Sequence, residues 1–268
     1  MHRTHNDSEL LKIDIVGVSV TALRLDAQIE LITLWAKQGL SKVVYLANVH
    51  MLMESRTNLN LKNALAGADL VAPDGMPLVW MMRLLGEKTQ NRVAGMDVFV
   101  KLCKRCVDEK ISIYLLGSTQ AILDEMEHRL RQDFSGIKIA GTESPPFRPL
   151  SETDYSQTIR NINESRASVT FVSLGCPKQE QWIANHVDKI DSVMVGVGGV
   201  FPVYAGVQKH APRWVRESGL EWVYRLSQEP KRLTRRYLTT IPPFIFLASK
   251  QLMTFKVPRL SLLTSQSP

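Results

Sequence analysis

The side chains able to do chemistry in this sequence gather at the ends of its apolar runs. Asp74 follows the run ADLVAP inside a Pro-Asp-Gly turn, so it points off the end of a short strand. A carboxylate there can take a proton, particularly where partial desolvation raises its pKa, or it can cap the helix that begins near Met76. Judged by residue type and place alone, the cap is the commoner use. Gln179, in Pro-Lys-Gln-Glu, falls in the first turn of a helix starting at Pro177. An amide there can hydrogen-bond a uracil, a ribose or a sugar hydroxyl, while Glu180 beside it suits a capping role. Asn48 ends the run KVVYLAN and can bind a sugar in the same way. Three further runs end in glycine at Gly117 (LLGS), Gly175 (SLGC) and Gly198–Gly199 (GVGG). Tight turning explains any one of them; three together point to a nucleotide crevice, where small residues let a phosphate approach the backbone and helix N-termini.

Other reactive residue types form no site. Cys103 and Cys106 make a C-x-x-C pair inside a lysine-rich helical stretch with no second pair, and Cys176 stands apart. Zinc, redox and disulfide roles are therefore not expected. The six histidines show no H-x-x-x-H spacing and no D-x-D pair occurs, so no metal site is expected. His50 either lines the pocket or is a satisfied structural histidine. Met51, Met53, Met76, Met81 and Met82 read as core. The dinucleotide fingerprint is absent, because GVGGVF lacks its third glycine.

The elements that must hold these residues follow from the periodicity. Runs at Ile13–Val20, Lys42–Asn48, Ala68–Gly75, Ser112–Ser118, Ile137–Thr142, Ser168–Gly175 and Ser192–Gly199 read as strands. Helical stretches lie between them, at Ile29–Trp35 and over 119–133, 151–165 and 177–189. Continuous Val/Ile/Leu runs indicate strands buried on both faces, and the alternation predicts an α/β fold, a Rossmann-like parallel sheet flanked by helices. From Gly219 the pattern becomes helical, with breaks expected at Pro230 and at Pro242–Pro243. Arg225, Arg232 and Arg235 share one face if the helix continues; if Pro230 opens a new helix, Arg232, Arg235 and Arg236 cluster at its start.

Of 268 residues, 44% are hydrophobic and 22% charged, which excludes a disordered or fibrous chain. The formal charge of +7 is segregated. Residues 1–207 hold 22 basic and 23 acidic side chains, residues 208–268 hold 11 and 3. The division predicts a core over 1–207 and a basic, aromatic-rich helical appendage over 208–268 that meets an anionic partner. Trp214, Trp222, Tyr224, Tyr237, Phe244, Phe246 and Phe255 among the cations suit a membrane interface or a nucleic-acid surface. The polar start MHRTHNDSELLK does not read as a signal peptide, and Ile241–Ala248 is too short to span a bilayer.

The runs LVAPDGMPLVW, LGCPKQEQWI, VGVGGVFPVYAG and APRWVRESGLEWVYRLSQEPKR, with LANVHM and RVAGMDV, resemble in order and spacing the WecG/TagA/CpsF family of bacterial glycosyltransferases. The likeness extends from about residue 12 to about residue 240. It implies an inverting, metal-independent transfer of a hexose (N-acetylmannosamine, its uronic acid or another) from a UDP-sugar donor. The implied acceptor is a sugar on a polyprenyl diphosphate at the inner face of the cytoplasmic membrane, in synthesis of teichoic acid, enterobacterial common antigen, capsule or exopolysaccharide. Asp74 matches the proposed base, which reverses the odds against the cap. Asn48, Gly75, Arg92, Gly117, Gly175, Gln179, Gly198, Gly199 and Phe201 fall at or beside the substrate, and Arg225, Arg232 and Arg235 match arginines that close the appendage over it and can bind a diphosphate. Relatives often carry Thr where Leu46 stands, so one hydroxyl contact is lost and the donor sugar stays open. Nucleic acid is not an expected partner, and a homo-oligomer is left open. The competing readings are a nucleic-acid-binding protein, which explains only the basic tail, and another nucleotide-binding Rossmann enzyme, which lacks its fingerprint.

Overall fold

The computed structural model describes residues 10–146, 148 and 151–255. The polar start before Leu10 and the end of the basic appendage, with Lys256 and Arg259, lie outside the described residues. In chain order the elements are β1 (Lys12–Ile15), β2 (Val18–Thr21), α1 (Leu25–Lys37), β3 (Lys42–Ala47), α2 (Val49–Ser55), α3 (Leu59–Ala66), β4 (Leu70–Pro73) and α4 (Met76–Leu84). Next come α5 (Gly95–Asp108), β5 (Ser112–Gly117), α6 (Gln120–Asp133), β6 (Lys138–Glu143), α7 (Glu152–Ser165), β7 (Val169–Ser173), α8 (Lys178–His186) and β8 (Val193–Gly196). Four helices complete the chain: α9 (Val200–Tyr204), α10 (Arg213–Glu217), α11 (Glu221–Gln228) and α12 (Pro230–Thr254).

Six strands form one parallel sheet in the order β4-β3-β8-β7-β5-β6. LVAP and VMVG are buried at every position, as both-face coverage requires of continuous apolar strands. Alternate residues feed two cores. Tyr45, Val71, Leu116, Val172 and Met194 pack with α2, α3, α4 and α8; Val44, Leu46, Leu115, Phe171 and Val195 pack with α1, α5, α6 and α9. All carboxyl ends of the sheet lie together, so Asn48, Asp74, Gly117, Gly175 and Gly198 share one edge of the fold. This bears out the Rossmann-like α/β expectation.

Two elements differ from it. Ile13–Val20 is a hairpin, β1 paired antiparallel with β2 outside the main sheet. Val16 and Gly17 both have positive φ (52° and 87°), the two-residue turn whose twist suits a hairpin, and the Thr21 hydroxyl accepts from the Val71 amide to tie β2 to β4. The chain does break before Pro230, yet Pro242 and Pro243 sit within a continuous α12. The two missing amides leave the carbonyls of Leu238 and Thr239 without their usual donors, but both residues are exposed, so water can serve them. Phe244 and Ala248 on the opposite face are buried in the same core as Met51, Leu52 and Val16, and Gln251 bonds the Val16 amide and the Asp14 carbonyl. Packing keeps the helix continuous through its prolines.

Candidate active site

At the end of β4 the Asp74 amide donates to the Ala47 carbonyl at 2.7 Å, which fixes the turn against β3. Gly75, at φ 112°, is the N-cap of α4, and no side chain caps that helix. The capping alternative for Asp74 therefore fails, and its half-buried carboxyl is free for chemistry. Burial pushes its pKa up to about 7, with the Glu221 carboxylate adding to the rise and Arg92 and Arg225 opposing it.

Those neighbours form a chain of ion pairs from the core into the appendage. Arg92 Nη1 donates to Glu221 Oε2 at 2.6 Å, and its Nη2 lies 3.9 Å from Asp97 Oδ2. Asp97 is also 3.6 Å from Arg216, and Arg225 Nε is 3.4 Å from Glu221 Oε1. The Arg225 guanidinium reaches over the glycine pair after β8, 4.0 Å from where a Cβ on Gly199 would stand. Glu221, Asp97 and Arg216 are not among the site residues expected from the sequence; their only signal is that they fall inside the runs RVAGMDV and APRWVRESGLEW that carry the family resemblance.

Gln179 and Phe201, expected at or beside the substrate, stand beneath the glycine turn and are buried. Gln179 is 2% exposed. Its Oε1 accepts from the Gly198 amide at 2.9 Å and its Nε2 donates to Glu180 Oε1 at 2.8 Å, so it braces the glycine turn from below. Gly196 must be glycine for this to fit, since a Cβ there would lie 2.6 Å from the Gln179 amide nitrogen. Glu180 is buried and its pKa is raised by desolvation. Phe201 is fully buried, with its ring 6.3 Å from that of Phe99. It anchors the turn from the core.

Asn48 caps α2, its Oδ1 accepting from the Met51 amide at 3.2 Å. Two residues on, His50 is not a satisfied structural histidine, because its buried Nδ1 has no hydrogen-bond partner. Burial lowers its pKa to about 4, with Arg236 and Arg232 adding to the effect. Of the three arginines matched to the closing appendage, Arg225 lies on α11 and Arg232 and Arg235 on α12, so they share no single helix face. Arg232 is exposed and bonded to Glu229, and Arg235 is exposed. Arg236, which the sequence gave no reason to prefer to Arg235, turns inward instead.

Beside this site, at the ends of β5 and β7, lies a cavity of about 950 Å³ whose lining includes Ser118, Ser173, Lys178, Tyr155 and Trp182. Gly117 closes β5 against β7 so tightly that a Cβ would stand 2.4 Å from the Ser173 carbonyl oxygen. Cys103 and Cys106 are buried among apolar residues of α5. Among the described residues, no three His, Cys, Asp or Glu side chains converge.

Comparison with known proteins agrees with this geometry. The model of the family described as "Glycosyl transferase WecG/TagA/CpsF family" matches residues 13–258. The N-acetylglucosaminyldiphosphoundecaprenol N-acetyl-beta-D-mannosaminyltransferase of Bacillus spizizenii is 31% identical over 214 residues, 80% of each chain. The protein of the same description from Staphylococcus aureus (strain MW2) is 27% identical over 248 residues, 91% of this chain and 94% of its own. The chain belongs to the WecG/TagA/CpsF glycosyltransferase family.

Proposed function

We propose that this glycosyltransferase moves a hexose of the N-acetylmannosamine kind from a UDP-sugar to N-acetylglucosamine carried on a polyprenyl diphosphate, with Asp74 as the base. The observation that carries the reading is an uncapping, half-buried aspartate at the sheet's carboxyl edge with a pKa near 7, flanked by Arg92 and Arg225. Such a carboxylate can take the proton of an acceptor hydroxyl as its oxygen attacks the anomeric carbon. The bond from that carbon to the donor phosphate breaks on the opposite side, and the anomeric configuration inverts. UDP leaves with the electron pair, and arginine N–H groups beside the glycine turn are suited to the charge it gains. The cavity at the ends of β5 and β7 has the size and the aromatic and cationic lining for a nucleoside diphosphate.

No metal is assigned to this chemistry, because the leaving group has cations of its own and no ligand cluster stands beside it among the described residues. Transfer is expected to survive EDTA; loss on chelation with recovery on Mg²⁺ or Mn²⁺ overturns that part. The decisive assay mixes the full-length protein, UDP-N-acetylmannosamine and an N-acetylglucosaminyl diphosphoprenol. A disaccharide-lipid product with UDP release supports the reading, whereas turnover only with another UDP-sugar changes the donor and keeps the class. The appendage is assigned to the inner, anionic surface of the cytoplasmic membrane, where such acceptors reside. Among the described residues, no helix is long and apolar enough to cross a membrane.

A further inference from the structure

Arg236 lies on the inward side of α12 where that helix crosses α2. Its Nε is buried with no hydrogen-bond partner, and among the described residues its guanidinium makes no ion pair. Every other appendage arginine described above has a carboxylate or the solvent. Across the seam, the buried Nδ1 of His50 is likewise unpartnered. α2 and α12 pack together, the charge of Arg236 helps hold the imidazole neutral, and the thiol of Cys176, ahead of α8, feels the same guanidinium. A desolvated cation beside an unmet imidazole nitrogen is costly unless an anion completes it in the working complex.

We propose that Arg236 and His50 form a second diphosphate subsite, for the lipid-carried acceptor, at the seam between α2 and α12. The inference rests on the function proposed above. Two observations separate this subsite from the donor's. The donor side already has Arg92 and Arg225 beside Asp74, and the nucleotide-sized cavity lies at the ends of β5 and β7. Arg236, in contrast, stands on the α2 side of α12, about half a turn around the helix from the exposed Leu238 and Ile245. An acceptor whose sugar reaches Asp74 carries its diphosphate into that seam, and its prenyl chain leaves toward the exposed apolar side of the helix. The guanidinium fork can hold two phosphate oxygens at once, and the imidazole can donate to a third.

The test is calorimetric titration of the full-length protein with farnesyl diphosphate in one arm and UDP in the other. Arg236→Gln and His50→Gln should each weaken farnesyl diphosphate about tenfold or more, the loss of one charge-assisted bond, and leave UDP within about twofold. Arg236→Lys, which keeps the charge and loses the fork, should fall between. Loss of UDP affinity instead, or no change in either arm, overturns the subsite, as does failure of the parent protein to bind farnesyl diphosphate. Arg236-dependent binding of farnesyl diphosphate by a protein that transfers no sugar would leave the subsite standing and overturn the function alone.

Discussion

A carboxyl group near neutrality is poised by its surroundings, and at Asp74 those surroundings come from far along the chain. Burial supplies most of the rise and Glu221 the next part, against Arg92 and Arg225. With Asp74 as base, Asp74→Asn should lower kcat by about 10²–10⁴ and leave UDP binding nearly unchanged. Near-normal turnover by the purified variant would end the assignment. The rate should also rise with pH through a limb near 7, as the base ionises. Replacing Glu221 by Gln removes an anion and frees Arg92 toward Asp74, so that limb should move to lower pH; a stationary limb would show that the two carboxylates do not communicate. Stability has the opposite sign. The folded pKa lies above the unfolded value of 3.8, so the folded state binds the extra proton and loses stability as pH rises from about 4 to about 7. Asp74→Asn should therefore raise Tm at pH 8 and change it little at pH 3. The position of Asp74 was legible in the Pro-Asp-Gly turn, but its freedom from capping was not, because that depends on Gly75 taking the cap position. Glu221 was illegible as its neighbour, since 129 residues separate it from Arg92 and no local pattern reports such a contact.

At the scale of elements, the sequence was readable wherever burial on both faces left a continuous apolar run. The strands ending at Asn48, Asp74, Gly117, Gly175 and Gly198 all follow from such runs. The hairpin at Val16–Gly17 was hidden because its two short strands are themselves apolar, and a run of eight reads as one strand unless the turn is recognised. Pro242 and Pro243 misled for the reverse reason: the local rule is sound for an isolated helix, and here the packing of Phe244 and Ala248 overrides it. Gln179 shows the same limit at the site, for an amide in a first turn can face outward to substrate or inward to Gly198. The strand-end glycines offer a graded test. Gly117 combines φ 115° with a backbone 2.4 Å from any added Cβ, whereas Gly175 has φ 78° and open space around it. Gly175→Ala should cost on the order of 1–2 kcal/mol of backbone strain. Gly117→Ala should cost more, because β5 and β7 must also separate. Thermal melts in which the two variants fall equally would show that the close approach at Gly117 does not matter.

At the scale of the whole molecule, α12 joins the core to the surface through two unlike faces. The inner face of α12 places Leu233, Thr240, Phe244 and Ala248 in the protein interior. Cutting the chain ahead of α12 would open the core along with the site, so deletion cannot separate membrane binding from folding. The outer face can. Leu238, Ile245 and Phe246 are 68%, 58% and 69% exposed, Trp214 and Trp222 stand near them in sequence on α10 and α11, and the basic excess of the chain lies in the same region. Apolar side chains so placed can enter the headgroup layer, and each nearby cation adds about 1 kcal/mol at an anionic surface. Full-length protein with Leu238→Ser, Ile245→Ser and Phe246→Ser should keep its melting temperature and its affinity for UDP, because none of the three packs inward. It should sediment poorly with anionic vesicles, and residual binding should vanish at high salt, where screening removes what the cations contribute. Transfer to a long-chain acceptor embedded in vesicles should then fall while transfer to a short-chain acceptor in solution continues, since Asp74, Arg92 and Arg225 are untouched. Undiminished vesicle binding and transfer in the triple variant would mean that the outer face of α12 does not meet the membrane, and that the exposed apolar stripe serves some other contact.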